Sequence, residues 1–249
     1  MIFNTHKSVR LLAVTGVALI AAACDSSNNN GGGMAGNNPP PPAAMATFEV
    51  TVTNLTNAQP LSPIAVIAHQ DTFPVFEIGQ PASVGLETLA EGGDNTALLA
   101  ETNGLAGIGD TASGAAPIGP AGSETISVTF DETAQDLMTI SVSTMLVNTN
   151  DAITGVNAVP LADMQVGDNV MLYSIAYDAG TEANTEAAAH IPGPAGGGEG
   201  FNAARDDLAD RVAMHPGVVG QEDGFATSDL SGQHRFDNPV AQITIERTN

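Results

Sequence analysis

The chain has 249 residues, 28 of them acidic and six basic, for a formal net charge of −22. Such a surface repels nucleic acid and anionic lipid and attracts divalent cations. A single cysteine excludes an internal disulfide, and the absence of tryptophan removes the usual aromatic platform of a sugar-binding cleft.

Residues 1–23 read as an export signal, with Lys7 and Arg10 as the positive region and Leu11–Ala23 as an apolar run too short to span a bilayer comfortably. Cys24 follows at once in Leu19-Ile20-Ala21-Ala22-Ala23-Cys24, which resembles a bacterial lipobox, so lipidation of Cys24 is expected. Ala21 stands where lipoboxes usually have Leu, which leaves ordinary signal-peptidase cleavage as the alternative. Residues 24–46 are rich in Asn, Gly and Pro and carry no packable apolar pattern. They read as a flexible tether with a reach on the order of 25 Å. Loss of the signal takes Lys7 and Arg10 with it and leaves Arg205, Arg211, Arg235 and Arg247 as the bases of the mature chain. The expected location is the bacterial cell envelope, as an exported lipoprotein touching the membrane only through its N-terminal lipid, or the medium if secreted.

Residues 47–249 suffice for one domain with its own core. In chain order, period-2 alternation or short β-branched runs predict strands over Phe48–Asn54, Ile64–Ala68, Ser123–Phe130, Met138–Leu146, Val156–Val166, Val170–Tyr177 and Val240–Arg247. Helical spacing predicts helices over Pro81–Ala90 and Asn95–Thr102. A third short turn over Arg205–Val212 rests on the i, i+4 pair Asp207 and Arg211. Gly and Pro dominate 104–122 and 191–200, which read as long loops. The predicted fold is all-β, an antiparallel β-sandwich with short peripheral helices.

Two loops stand out, Asn148-Thr149-Asn150-Asp151 and Tyr177-Asp178-Ala179-Gly180-Thr181-Glu182, each directly after a predicted strand. If the strands over 138–146, 156–166 and 170–177 form an up-down-up meander, the first and third point the same way and Asp151, Asp178 and Glu182 meet on one rim. Three convergent carboxylates suit calcium, which takes six to eight oxygens in a loose geometry, better than magnesium or zinc. An ordinary turn with solvated acids is the plainer alternative.

The second loop resembles the Trp-Asp-Ala-Gly-Thr-Asp loop of the spondin domain. Phe48-Glu49-Val50-Thr51-Val52-Thr53-Asn54-Leu55-Thr56, Phe76-Glu77-Ile78-Gly79 and Asn238-Pro239-Val240-Ala241 also resemble bacterial spondin-domain proteins. The resemblance implies a sandwich similar to the calcium-binding synaptotagmin type, with a calcium ion held by Asp178, Glu182 and Asp151. Glu182 departs from it by one methylene. The Cys- and Trp-rich repeats that accompany the animal domains are absent from this sequence, so matrix binding in the animal sense does not carry over.

His69, His190, His215 and His234 match no metal-ligand spacing. His69 reads as a satisfied rim residue and His215-Pro216-Gly217 as a turn. A Gly-x-Ser-x-Gly elbow is also missing. The expected function is therefore a surface-tethered, calcium-binding adhesion or ligand-binding module without catalysis. Its partner would be a surface, matrix or polysaccharide ligand, and not nucleic acid. The alternative is a secreted or periplasmic hydrolase using carboxylates or histidines of the sandwich rim.

Overall fold

The computed structural model describes residues 42–70, 73–207 and 209–249. The export signal, Cys24 and most of the tether lie outside the described residues. Strand β1 (Met45–Asn54) begins inside the stretch expected as tether.

Two antiparallel sheets form a sandwich. The first has four strands in the order β4 (Ser123–Asp131), β1, β10 (Ala241–Arg247) and β7 (Asn169–Ser174). The second has six, in the order β3 (Ile108–Ser113), β2 (Ala65–Gln70), β5 (Met138–Met145), β6 (Ala152–Pro160), β8 (Ala176–Asp178) and β9 (Ala213–Met214). In β1 the even-numbered residues Phe48, Val50 and Val52 point inward and are fully buried. They pack with Val128, Phe130, Ile243 and Ile245 against Val66, Ala68, Ile140 and Val142 of the other sheet. Phe48 and Phe130 stack with ring centroids 5.5 Å apart. This is the period-2 burial that the alternating sequence requires.

The second sheet is covered on its outer face as well. Helices α1 (Val84–Gly92) and α2 (Thr96–Glu101) bring Leu86, Leu89, Ala90 and Leu98 onto Ala65, Ile67 and Ile153. Strand β2 is thus buried on both faces, which is why Ala65-Val66-Ile67-Ala68 is a continuous apolar run rather than an alternation. Helix α1 is begun by Ser83, whose hydroxyl accepts the Leu86 N–H at 3.1 Å, and is ended by Gly93 at φ 70°.

The alternation of apolar and polar residues in β5 would suit a half-buried strand, but all its residues are buried. His69 is also inside rather than on the rim, at 1% exposure. Its Nε2 lies 2.7 Å from the Ser141 hydroxyl and its Nδ1 2.6 Å from the Gln70 carbonyl.

Four other expectations are corrected. The strand expected over 156–166 is β6, Ala152–Pro160. The strand expected over Val170–Tyr177 is two strands: at Ile175 the chain leaves β7 in the first sheet and enters β8 in the second, so no simple meander exists. Residues 205–207 and 209–212 are not helical; Arg205 instead pairs with Glu87 and Asp210, each at 2.8 Å, and holds this segment on α1. Within the expected loop 104–122 lies β3, an edge strand.

Because β8 pairs only with Ala152–Thr154, residues 155–160 of β6 have no partner strand on that side. The gap toward β7 opens into a cavity of about 790 Å³ lined by Phe76, Tyr173 and Tyr177 among others.

Candidate metal centre

The turn between β5 and β6 is closed by its own side chains. The Thr149 hydroxyl donates to the Leu146 carbonyl at 2.6 Å and accepts the Ala152 N–H at 3.0 Å. Asn148, Thr149, Asn150 and Asp151 are all buried, because the chain after β8 folds over them. The Asn150 amide donates to Thr185, and its carbonyl oxygen accepts the Glu186 N–H.

Antiparallel pairing places Ala152 opposite Asp178, and this sets the two acidic loops side by side. Gly180, at φ 73°, turns the second loop back toward Asp151, in a space where a Cβ would stand 2.3 Å from the Arg211 carbonyl oxygen. Asp151 Oδ2 then accepts the Thr181 N–H at 2.8 Å, the Thr181 hydroxyl at 3.2 Å and the Glu182 N–H at 3.2 Å. Its other oxygen, Oδ1, is buried and has no hydrogen-bond partner. Asp178 accepts the Gly180 N–H at 2.8 Å and the Asn184 amide at 2.5 Å. Glu182 Oε1 lies 3.9 Å from His190 Nδ1. Pairing of β6 with β8, rather than the expected meander, thus sets the loops that carry Asp151, Asp178 and Glu182 side by side.

The electrostatics are those of acids without a counter-charge. Burial pushes Asp151 up to about 7, and the Asp178 charge adds to this against the opposing N–H donors of Thr181 and Glu182. Burial also raises Asp178. Glu182 is pushed up to about 8, first by burial and then by Glu91, Asp151 and Asp206. All the carboxylate oxygens offered are hard donors, as calcium prefers, and the orphaned Asp151 Oδ1 is the atom a cation would satisfy. Among the described residues, no three His, Cys, Asp or Glu side chains are grouped as a ready-made metal cage. The loop hydrogen bonds hold the acids in place individually.

Several contributors were not visible in sequence. Glu91, on α1, is 2% exposed; its Oε2 accepts the Asn202 N–H at 2.8 Å, while its Oε1 is buried without a partner. Asp206 accepts the Ala183 N–H at 2.8 Å and donates its own N–H to the Thr181 carbonyl at 3.2 Å. Glu186, buried at φ 56°, is pushed up to about 7 by burial. The i, i+4 spacing of Glu87 and Glu91 was a usable signal for one acidic helix face; nothing local marks Asp206.

Of the other histidines, His215 is buried, its Nδ1 accepting the Gly217 N–H at 2.9 Å across the expected turn. His234 Nδ1 accepts the Ser231 N–H at 3.1 Å. The Ser141–His69 pair is buried on the outer, helix-covered face of the second sheet, and the Ser141 hydroxyl also accepts the Ala158 N–H at 2.9 Å.

A search of curated proteins returned no match to the chain. The sequence profile described as Spondin_N matches residues 53–191, a span that includes both acidic loops and all three expected ligands. With more than half of its length matched, and with the sandwich those residues build, the chain belongs to the Spondin_N family.

Proposed function

We propose that this protein is an exported, surface-tethered module that binds one calcium ion at Asp151, Asp178 and Glu182 and acts by adhesion or ligand binding rather than by turnover. The observation that carries this reading is Asp151: a fully buried carboxylate with one oxygen held by three donors and the other left without any. An isolated buried charge is costly, and such groups are paired, protonated or metal-bound. Here Asp178 and Glu182 stand nearby and add repulsion instead of relief.

Asp151, Asp178 and Glu182 would hold the ion, with Asn150 and the 178–182 backbone as further oxygen donors in reach of the same rim. A bound calcium would supply the missing positive charge and fix the loop that ends the sandwich. A rim stiffened in this way is a suitable platform for a surface, matrix or polysaccharide ligand. Cys24 would carry the lipid that tethers it to the envelope.

The test is calorimetric titration of the purified protein with calcium and, separately, magnesium. It is followed by pull-down on envelope and matrix polymers with and without calcium, alongside ester, glycoside and peptide substrate panels. One calcium per chain, a much weaker magnesium response and calcium-dependent capture without turnover are expected. Equal responses to both ions, or turnover abolished by a single carboxylate or histidine substitution, would overturn the proposal, the latter in favour of a hydrolase.

A further inference from the structure

Helix α1 ends against the same rim. Its last turn is clasped by the segment around Asn202: the Phe201 nitrogen would lie 3.3 Å from a Cβ on Gly92, and the Asn202 N–H is taken by Glu91 Oε2. The same segment returns to the acidic loop, where Asp206 binds Ala183 and Thr181 through the backbone. Glu91 is thus held between the helix and the loop.

Its carboxylate neighbours the Thr181 side chain, the residue whose N–H and hydroxyl both go to Asp151. Glu91 is also the acid that acts most strongly on Glu182. Arg205, the base on this side, is committed to Glu87 and Asp210 and leaves Glu91 without an ion pair among the described residues. Glu91 Oε1 is thus a buried carboxylate oxygen without a hydrogen-bond partner, as is Asp151 Oδ1, and a cation would satisfy both.

We infer that Glu91 is a fourth carboxylate of the cation site, reaching it from α1, so that ion binding clamps the helix and the 199–206 segment onto the 178–182 loop. This rests on the calcium reading above. It assigns to the site a ligand that comes from another element, far upstream of both acidic loops. With four carboxylates the ion shell carries more negative charge than three loop acids provide, which favours calcium over monovalent competitors and tightens binding.

The test uses calcium titration of the full-length protein and of its Glu91→Gln, Glu87→Gln and Asp178→Asn variants, at low salt and in 0.5 M NaCl. Folding of each is checked by its melting curve without calcium. Glutamine keeps an oxygen for the Asn202 N–H while removing the charge. The expected result is a roughly tenfold or greater loss of calcium affinity in Glu91→Gln that persists in 0.5 M NaCl, where the effects of exposed charges are screened beyond about 4 Å. Glu87→Gln, whose charge is already neutralised by Arg205, should stay within about threefold of wild type. If Glu91→Gln binds as tightly as wild type, or loses affinity only at low salt, while Asp178→Asn abolishes binding, Glu91 is not a ligand and the three-residue site stands. If wild type itself takes up no calcium, or Asp178→Asn leaves uptake unchanged, the underlying calcium reading has failed and the inference with it.

Discussion

Asp151→Asn should stabilise the domain without calcium and lose that advantage over the wild type when calcium is added. Without the ion at pH 8.5, the wild-type carboxyl is ionised inside the rim, since burial and Asp178 raise it from 3.8 to about 7. Each pKa unit corresponds to about 1.4 kcal/mol, so the penalty has a ceiling of about 4 kcal/mol. Asparagine removes that penalty and keeps one oxygen for the Thr181 and Glu182 donors. Its amide nitrogen then occupies the place of the orphaned Oδ1, at a cost of about 1–3 kcal/mol if unpaired. The net gain is about 2 kcal/mol, a rise in melting temperature of roughly 4–8 °C for a domain of this size. With about 10 mM calcium and a dissociation constant of about 10⁻⁴ M, the wild type gains about 2.7 kcal/mol, or roughly 5–10 °C, and the variant under about 2 °C. Differential scanning fluorimetry, with magnesium as control, reads both. A calcium-free variant that melts below wild type at pH 8.5 would refute the reasoning, because the three donors would then have to stabilise the charge fully.

Without calcium, stability should fall as pH rises from about 4 to about 8. Asp151, Glu182 and Glu186 all have folded-state pKa values above their ordinary ones, so the folded chain binds more protons in this window. Urea midpoints across the window check this; a flat or rising midpoint contradicts it, and saturating calcium should flatten the Asp151 and Glu182 share of the fall. Gly180→Ala should destabilise the domain by about 2–4 kcal/mol and weaken calcium binding, since it combines a left-handed backbone with a Cβ on top of Arg211; an unchanged urea midpoint would show that the loop can open. Cys24→Ser should release the protein from the membrane fraction and abolish labelling by fatty acid, and a wild type that takes up no label removes the tether from the proposal.

The sequence carried the sandwich through β1, β4 and β10, where Phe48-Val50-Val52, Ile126-Val128-Phe130 and Ile243-Ile245 alternate cleanly against polar neighbours. It did not show the crossing at Ile175, because alternation has the same period in either sheet and no Gly or Pro marks the change. Strand β3 escaped because an edge strand built from Ile-Gly-Asp-Thr-Ala-Ser buries little. The helix expected over 205–212 rested on one charge pair with no apolar stripe behind it, and a tertiary pairing of Arg205 with α1 decided that segment instead. That the loops carrying Asp151, Asp178 and Glu182 are neighbours was legible, because both are short and pairing of adjacent strands brings them together. Glu91 was not, because only the docking of α1 places it there.

The uncovered stretch of β6 leaves one seam of the sandwich open. A bare strand edge is a template for another chain. Here the Asn157 side chain behaves like a piece of missing strand: its oxygen accepts the Val75 N–H at 3.1 Å and its amide donates to the Phe76 carbonyl at 2.6 Å, stitching a loop where a strand would lie. Beside it, Ala158 at φ 49° bends the backbone out of the pleat, and Pro160 offers no N–H at all. Three features within four residues of its own sequence thus each spoil the hydrogen-bond spacing that an incoming strand would have to match.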